Sequence, residues 1–297
     1  MMFRLLRRLN WGRIGHKLNR GDTMPEMPEV ETIRRTLVDK VVGRTIRDID
    51  IALPRLIKWP SAGEFKAIVI GKKIIDLKRR GKYLILGLED KTVIVIHLRM
   101  TGRLYYTPAG VQHDKFARII FNLDNGDIVQ YADSRTLGTL YAMPGDELWR
   151  ISGLAKMGPE PLSEDFTMTY LENGLKKRKG IIKALLLNQQ FIGGLGNIYV
   201  DECLAIAGIH PARRADSLSE AEVDRLFHAI NKVIADGIEH GGTTFRDYRD
   251  GTGQSGTHQF HLHVYGRKAL PCLKCGAVIE KIETAGRGTH FCPNCQI

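Results

Sequence analysis

No long uninterrupted run of apolar residues is present in this chain of 297 residues. A membrane-spanning helix needs about 18 or more such residues, whereas the apolar runs here, such as residues 92–96, end within a few positions. The composition, with 43% hydrophobic and 26% charged residues, is typical of a globular protein. The sequence therefore predicts no membrane span, and either one large core or two modest domains.

Acidic residues are scarce relative to basic ones. The chain has 33 Asp and Glu against 44 Lys and Arg, which gives a formal net charge of +11 and a pI near 9.5. Lys and Arg side chains that meet phosphates release condensed counterions, so this excess favours a polyanionic partner. Composition alone leaves two interpretations open, a nucleic-acid-binding protein or a basic but solvated surface.

Cysteines are few and odd in number, which argues against a disulfide framework. Four of the five form two C-x2-C pairs, Cys272 with Cys275 and Cys292 with Cys295, separated by sixteen residues. This spacing is typical of a zinc ribbon in a reducing cytosol. Because all four ligands are thiolates, no position remains for water, and we expect one structural Zn²⁺. Cys203, in an apolar segment, is expected to be a buried helical thiol.

The first 23 residues differ in composition from the rest. They hold six Lys or Arg and one acidic residue, and so supply +5 of the net charge. An Arg-rich, acid-poor segment is typical of an organellar presequence, although this one lacks serine. The alternative is that translation starts at Met24, because residues 20–22 can be encoded by a purine-rich stretch like a bacterial ribosome-binding site. We expect this extension to be a mis-assigned start or a removed segment.

The rest of the chain changes character near residue 150. Residues 28–41 have the periodicity of an amphipathic helix. Short β-branched runs follow it: TIRDIDIAL, FKAIVIGKKIIDLKR, YLILGL, TVIVIHLRM, ARIIFNL and IVQYA. Helical patterns then cover residues 165–175, 180–188, 198–207 and 219–239. A Gly-rich stretch at 250–256 leads into FHLHVYGR, which is interpreted as a hairpin.

This order predicts an α+β chain with three parts. A two-sheet β-sandwich with a flanking helix is expected at residues 24–150. A helical domain is expected at 151–260, and the zinc ribbon at 261–297. Between the ribbon's cysteine pairs, Arg287 is expected to be exposed on a rigid hairpin where it can meet a phosphate.

The segment QQFIGGLGN between two predicted helices has three glycines in four positions. We interpret it as a tight turn that presents backbone N–H groups and a helix start to a phosphate, with Asn197 as N-cap or phosphate donor. A purely structural helical hairpin is the alternative. Just upstream, KKRKGIIK contains Lys179 and Lys183 among its basic residues, which are either DNA contacts or a solvated face.

Several motifs together resemble the formamidopyrimidine-DNA glycosylase family. They are MPEMPEVETIRR at 24–35, RRGKYL at 79–84, HLRMTGRL at 97–104, GGLGNIYVDE at 193–202 and VYGR at 264–267, with the zinc ribbon. The resemblance implies that the helical domain, residues 151–260, binds DNA through a helix-two-turn-helix element. It also implies a base-excision-repair enzyme of the bacterial cytoplasm, associated with the nucleoid through DNA binding. We expect a monomer, since nothing in the sequence marks an oligomer surface.

The resemblance implies a glycosylase and lyase that removes 8-oxoguanine and formamidopyrimidines from duplex DNA, preferably opposite cytosine. Pro25 matches the nucleophile, Glu26 the acid–base residue and Glu29 a carboxylate that orients the amine. Lys82 matches a residue of proton transfer and phosphate contact, and Arg287 one of the second elimination. A chain-terminal amine suits this role because its pKa of about 8 leaves a fraction unprotonated at neutral pH.

A damaged base must be flipped out of the duplex before it can be excised. By resemblance Met100 and Arg135 insert into the duplex, the arginine facing the orphaned cytosine. Leu137 stands where the family commonly has phenylalanine, so the probing wedge is expected to be weaker or less selective. Residues 251–256 align with a loop that covers the flipped base. The residues assigned to phosphate contacts are His113, Lys179 and Asn197.

Two other functions remain open. If residues 1–23 are retained, the nitrogen of Pro25 is an imide without a nucleophilic lone pair, and the chain would be a non-catalytic damage sensor. The second is a glycosylase for oxidised pyrimidines of the endonuclease VIII type. The opening PEVET, in place of that group's PEG-type opening, favours oxidised purines.

Overall fold

The structure, a computed structural model, describes residues 24–297, so the expectation for residues 1–23 lies outside the described part of the chain. Its first helix, α1, covers Met27–Val41. The helix begins after Glu26, whose backbone N–H donates to the Glu29 carboxylate at 2.9 Å. One face is fully buried, as the spacing predicts. The residues of that face are Val30, Ile33, Leu37 and Val41.

Two sheets follow α1. Their strands are β1 (Ile46–Ile51), β2 (Ile57–Trp59), β3 (Ile74–Arg80), β4 (Tyr83–Leu88), β5 (Thr92–His97), β6 (Gly102–Thr107), β7 (Ala117–Leu123), β8 (Ile128–Asp133) and β9 (Thr139–Pro144). The four-stranded sheet has the order β1-β7-β8-β6, and the five-stranded sheet has the order β2-β9-β5-β4-β3. Residues such as Phe121 and Leu84, from the two sheets, share one hydrophobic core with α1. This confirms the predicted sandwich with a flanking helix.

The predicted strand FKAIVIGKKIIDLKR is wrong in its first half. Residues Ala62–Val69 form a helix, α2, which begins at Ser61 with a capping box to Glu64. Its buried residues, Phe65 and Val69, are four positions apart and lie on one helical face. A capping signal and a helical face therefore outweigh the β-branched composition. Strands β2, β6 and β9 lie outside the predicted strand runs.

The helical part packs around a second hydrophobic core. Helices α4 (Met168–Lys176), α5 (Ile182–Leu187), α6 (Asn197–Ala207) and α7 (Glu220–Glu239) contribute to this core. The short helix α3 (Ser152–Ala155), which precedes them, packs through Leu154 against residues of the five-stranded sheet such as Tyr83 and Val95. Cys203 lies in α6 and is fully buried in the second core, as expected. Among the described residues, no helix combines the length and apolarity that a membrane crossing would require.

The C-terminal part contains the hairpin of β10 (Glu280–Thr284) and β11 (Arg287–Phe291). The segment FHLHVYGR is not a hairpin, since it forms turns without a strand. The reason is Glu202, whose buried carboxylate accepts hydrogen bonds from the backbone N–H groups of His263, Val264 and Tyr265 at 2.6, 2.9 and 2.8 Å. These amides are therefore bound to α6 instead of to a partner strand.

Candidate active site

A cavity of about 860 Å³ opens where the sandwich, the helical part and the C-terminal hairpin meet. It is lined by residues from all three regions, so no single domain could form it. Of the residues singled out in the sequence, the cavity brings together Glu26, Lys82, Met100, Leu137, Asn197 and Arg287.

Glu26 ends the extended segment that precedes α1, and it is 3% exposed. Its carboxylate accepts hydrogen bonds from the backbone N–H groups of Ile198 at 3.0 Å and Tyr199 at 3.5 Å, at the start of α6. Burial raises the pKa of Glu26 to about 7, against the lowering effect of the nearby Lys82 ammonium. A carboxyl group with this pKa can donate a proton at neutral pH.

Glu29 lies one helical turn further and is also buried. Burial raises the pKa of Glu29, although its hydrogen bonds oppose this. It accepts from the Tyr199 hydroxyl at 2.6 Å, from the Thr243 backbone N–H at 2.7 Å and from the Glu26 backbone N–H at 2.9 Å. Because it holds the backbone of Glu26, Glu29 fixes the segment that contains Pro25, which is itself buried.

Lys82 lies in the turn between β3 and β4 and is 6% exposed. Burial lowers its pKa, while the charges of Glu26 and Glu29 raise it and that of Arg287 lowers it. The preceding Gly81 has a φ of +54°, and a Cβ there would lie 2.6 Å from Met157. The tight turn therefore presents a lysine that is less basic than usual to the same cavity as Glu26.

The glycine-rich turn before α6 packs against the segment that carries Glu26. A Cβ on Gly196 would lie 2.2 Å from the Glu26 carboxyl carbon, and one on Gly194 would lie 2.8 Å from Met27. The first amides of α6 bind the Glu26 carboxylate, which differs from the expectation that the helix start binds a phosphate. The N-cap is Gly196, so the expectation of Asn197 as N-cap is wrong.

Asn197 connects α6 to the C-terminal hairpin. Its amide Nδ2 donates to the carbonyl oxygen of Gly288 at 3.0 Å, while its buried Oδ1 has no hydrogen-bond partner in the described part of the chain. Arg287, the neighbour of Gly288, begins β11 and is exposed, as predicted. This contact places the exposed guanidinium at the cavity that contains Glu26 and Lys82.

Lys183 is not a surface cation, which corrects its assignment to the basic DNA-binding run. It is fully buried, and its ammonium lies 2.6 Å from the Asp201 carboxylate and 2.7 Å from the Thr289 hydroxyl. Asp201 also accepts from the His290 backbone N–H at 2.8 Å. The ion pair therefore joins α5 and α6 to the strand that begins at Arg287.

Asp133 shapes the turn that carries Arg135 and Leu137. Its carboxylate accepts from the backbone N–H of Arg135 at 3.1 Å, from that of Leu137 at 2.8 Å and from the Thr101 hydroxyl at 2.6 Å. Burial opposes ionisation, but these hydrogen bonds lower the pKa of Asp133. The turn thus holds the exposed Leu137 side chain, 46% accessible, at the cavity rim.

The other predicted contacts lie outside the cavity lining. His113, Arg135 and Lys179 are exposed. Residues 251–256 do not line the cavity either, whereas Phe245 of the same connection does. The roles of Tyr199, Asp133 and Asp201 could not be read from the sequence, because their partners lie far along the chain or donate to them through backbone N–H groups.

The four cysteines of the C-terminal part lie together. Their sulfurs are all within 4.8 Å of one another, with Cys272 and Cys295 4.0 Å apart and Cys275 and Cys292 3.5 Å apart. Tetrahedral zinc with Zn–S bonds of about 2.3 Å requires sulfurs about 3.8 Å apart. The geometry fits one structural Zn²⁺ with four thiolate ligands, as predicted.

Three family models match consecutive parts of the chain. The formamidopyrimidine-DNA glycosylase N-terminal domain matches residues 24–140, and the H2TH domain of the same family matches residues 157–249. The zinc finger found in FPG and IleRS matches residues 269–297. The three matches follow the order of sandwich, helical part and zinc-binding hairpin.

Similar proteins extend over almost the whole described chain. A formamidopyrimidine-DNA glycosylase of Pelotomaculum thermopropionicum is 45% identical over 273 residues, which cover 92% of this chain and 99% of the relative. A Lactococcus lactis FPG mutant in complex with DNA containing Fapy-dG has a TM-score of 0.86 at 38% identity, with 92% and 99% coverage. The wild-type L. lactis protein with DNA containing an oxidised pyrimidine has a TM-score of 0.85 at the same identity and coverage.

Proposed function

This chain belongs to the formamidopyrimidine-DNA glycosylase family, and on that premise we propose that it excises oxidised purines from duplex DNA and then cleaves the strand. The proposed nucleophile is the imino nitrogen of Pro25. The observation that carries the proposal is the pair of buried carboxylates, Glu26 and Glu29, directly behind Pro25 and facing Lys82. The lesion class is supported by the L. lactis relative, which binds Fapy-dG DNA.

Base release begins when the nitrogen lone pair of Pro25 forms a bond to C1′ of the damaged nucleoside. The glycosidic bond breaks, and its electron pair leaves with the base, which takes up the proton that the Pro25 nitrogen loses after its attack. Glu26 protonates O4′ as the C1′–O4′ bond opens, and the nitrogen and C1′ then form an iminium. A carboxyl pKa raised to about 7 supports Glu26 in this role.

Strand cleavage follows from the acidity of the sugar protons beside the iminium. Removal of a C2′ proton expels the 3′ phosphate, and removal of a C4′ proton then expels the 5′ phosphate. We assign proton transfer and phosphate contact to Lys82, whose lowered pKa supports exchange of a proton. Arg287 is assigned to the second elimination, because its exposed guanidinium lines the same cavity. Water finally releases Pro25 from the iminium.

DNA engagement is proposed to use both the cavity rim and the basic surface around it. Met100 and Leu137, at the rim, would fill the gap left by the flipped base, with Arg135 facing cytosine on the opposite strand. The proposed enzyme is a monomer of the bacterial cytoplasm. Its proposed domain boundaries lie between residues 150 and 151 and between residues 260 and 261. The proposed phosphate contacts are His113, Lys179 and Asn197.

The test is sodium borohydride trapping on an 8-oxoguanine:cytosine duplex, combined with intact mass. Protein is expressed from Met1 and from Met24 in parallel. We expect a covalent adduct only with protein whose mass begins at Pro25, because only a chain-terminal proline has a free lone pair. The Met24 protein with Glu26→Gln is the matched variant, and it should bind the duplex but release base slowly.

Each other outcome points to a different function. An adduct with protein that retains residues 1–23 would overturn Pro25 as nucleophile and direct attention to Lys82. Lesion binding without an adduct from either protein would favour a damage sensor that does not cut DNA. Misfolding explains neither outcome, because adduct formation and lesion binding each require a folded protein.

A second substrate class, the oxidised pyrimidines, has one supporting observation. The L. lactis relative, at 38% identity, forms a complex with DNA that contains an oxidised pyrimidine. Base release from thymine glycol duplexes, measured beside 8-oxoguanine, separates the two preferences. A faster rate on thymine glycol would replace the purine proposal with a pyrimidine-directed one.

A further inference from the structure

The connection between α7 and the zinc-binding part leaves the helical core and returns to it. Its two ends, residues 240–243 and 256–258, lie side by side and form a narrow neck. On the two sides of the neck, Thr257 N–H donates to the carbonyl of His240 at 2.9 Å, and His258 N–H donates to that of Gly242 at 3.1 Å. A Cβ on Gly256 would lie only 2.1 Å from the Gly242 oxygen. The two ends of the connection are therefore in direct backbone contact.

Three histidines stack across this neck. The Nδ1 atoms of His240 and His258 are 3.1 Å apart, within hydrogen-bond distance. The ring of His261 stacks on that of His240, with a centroid distance of 3.8 Å and an interplanar angle of 4°. His258 is 4% exposed, so the hydrogen bond is shielded from water on one side. The proposed reaction assigns no role to any of the three rings.

The histidine stack continues to the carboxylates of the active site. The ring of His258 stacks on that of Tyr199 at 5.6 Å and 11°, and the Tyr199 hydroxyl donates to Glu29 at 2.6 Å. From the other side of the neck, Thr243 N–H donates to the same Glu29 carboxylate at 2.7 Å. Two residues beyond Thr243, Phe245 lines the cavity.

We propose that His240 and His258 form a latch across the neck that positions Phe245 as a wall of the pocket for the flipped base. The inference rests on the proposed function, since it concerns the same cavity. His240 and His258 are positioning residues, because neither touches the reacting atoms. Their effect reaches the substrate through Thr243 and Phe245.

The pair can act as a latch only while one Nδ1 carries a proton and the other accepts it. Burial, together with the neighbouring His240 and His261, lowers the pKa of His258 to about 4, although the charges of Glu202 and Asp236 oppose this. His258 is therefore neutral at neutral pH, which permits an N–H···N hydrogen bond. The latch needs no metal ion and no change of redox state.

Two substitutions remove the same hydrogen bond by different routes. His240→Ala removes one ring and leaves the stack of His258 on Tyr199. His258→Phe keeps an aromatic ring on Tyr199 but removes the nitrogen. His228→Ala, at an exposed position of α7, the helix that ends at His240, is the matched control.

Single-turnover rates are measured on two substrates, an 8-oxoguanine:cytosine duplex and a duplex with a preformed abasic site. Each latch variant should release 8-oxoguanine about tenfold more slowly, the size expected for one buried hydrogen bond. Cleavage at the abasic site should stay within about twofold, because that substrate has no base to hold. The double variant should be no slower than either single variant, since both remove one bond.

Equal losses on both substrates, multiplied losses in the double variant or unchanged base release would each overturn the latch. Hydrogen exchange of peptides covering residues 241–260 gives a second, activity-independent measurement. We expect faster exchange at Thr257 and His258 in the latch variants but not in His228→Ala. Slow exchange at these amides in all variants would overturn the latch, whether or not the wild-type protein releases base. A wild-type protein that releases no base would overturn the proposed function but not the latch.

Discussion

The Glu26 carboxylate accepts a 3.0 Å hydrogen bond from the backbone N–H of Ile198. Glu26 belongs to the segment that enters the sandwich, whereas Ile198 lies in the first turn of α6. Amides at a helix N-terminus carry partial positive charge and stabilise a carboxylate. The protonation of the proposed acid is therefore set by two parts of the chain that must dock together.

Gly196→Ala should abolish this docking. The new Cβ would lie 2.2 Å from the carboxyl carbon of Glu26, so either the turn or the carboxyl group must move. A displacement of about 1 Å in an active site can cost about 100-fold in rate. We expect base release from an 8-oxoguanine duplex to fall by about that factor, measured under single-turnover conditions.

Gly63→Ala is the matched control for this substitution. Gly63 lies in α2, and nothing is within 4 Å of a Cβ placed there. Alanine should raise the free energy of unfolding by about 0.5–1 kcal/mol, because it is the better helix former. Equal losses of activity in both variants would contradict the steric argument at Gly196.

Glu26→Gln tests the raised pKa. Burial raises the pKa of Glu26 from 4.5 to about 7, so the protonated acid is lost as pH rises through 7. The wild-type rate of base release should decline above pH 7, and the variant should be slow throughout, without this decline.

The raised pKa also sets how the stability of this variant, relative to wild type, changes with pH. A carboxyl group whose pKa is higher in the folded state costs stability as pH rises from 4.5 towards 7. The Gln variant lacks this cost, so its free energy of unfolding relative to wild type should increase across that window and then level off. Urea unfolding at pH 5 and pH 8 measures the free energy of unfolding of both proteins. A difference between them that is the same at the two pH values would contradict the raised pKa of Glu26.

Local patterns in the sequence were sufficient for α1 and for the zinc site. The apolar spacing of α1 and the two C-x2-C pairs each depend on neighbours within a few residues, and the structure has both where they were predicted. The helix α2 could have been found from Ser61 and Glu64, which form its capping box. Its β-branched residues obscured that signal.

Long-range contacts explain the remaining errors. Lys183 looks like part of a basic surface run, but its partners Asp201 and Thr289 are 18 and 106 positions away. Similarly, the Glu202 carboxylate accepts hydrogen bonds from backbone N–H groups 61 to 63 positions later, in the segment that was predicted to be a hairpin. Neither partnership has a periodicity or spacing that a single sequence reveals.

Lys183→Met should destabilise the protein strongly. The substitution leaves the Asp201 carboxylate, which is 1% exposed, without its cation. Removal of one partner of a buried ion pair costs about 3–5 kcal/mol. Urea unfolding should show this loss, and the double variant with Asp201→Asn should recover part of it. Lys179→Met, at an exposed position, is the control and should change stability little.

Removal of zinc should separate the C-terminal hairpin from the rest of the fold. Cys275→Ser takes away one of four ligands, and a structural zinc site of this size depends on the metal for its folding. We expect the zinc content to fall from one per chain and strand cleavage to be lost, because Arg287 is no longer held at the cavity. Cys203→Ala, at a buried thiol of α6, should retain the metal, and equal metal loss in both would contradict the assignment.

Leu137→Phe should strengthen the probing wedge. The Leu137 side chain is 46% exposed at the cavity rim, so a larger side chain fits without disturbing a core. An aromatic ring that stacks on a base contributes about 1–3 kcal/mol. Binding to an 8-oxoguanine:cytosine duplex should tighten accordingly, whereas Ile75→Phe, at a residue that is 50% exposed on β3, should not change it. Equal affinities for the wild type and Leu137→Phe would show that Leu137 does not contact the DNA stack.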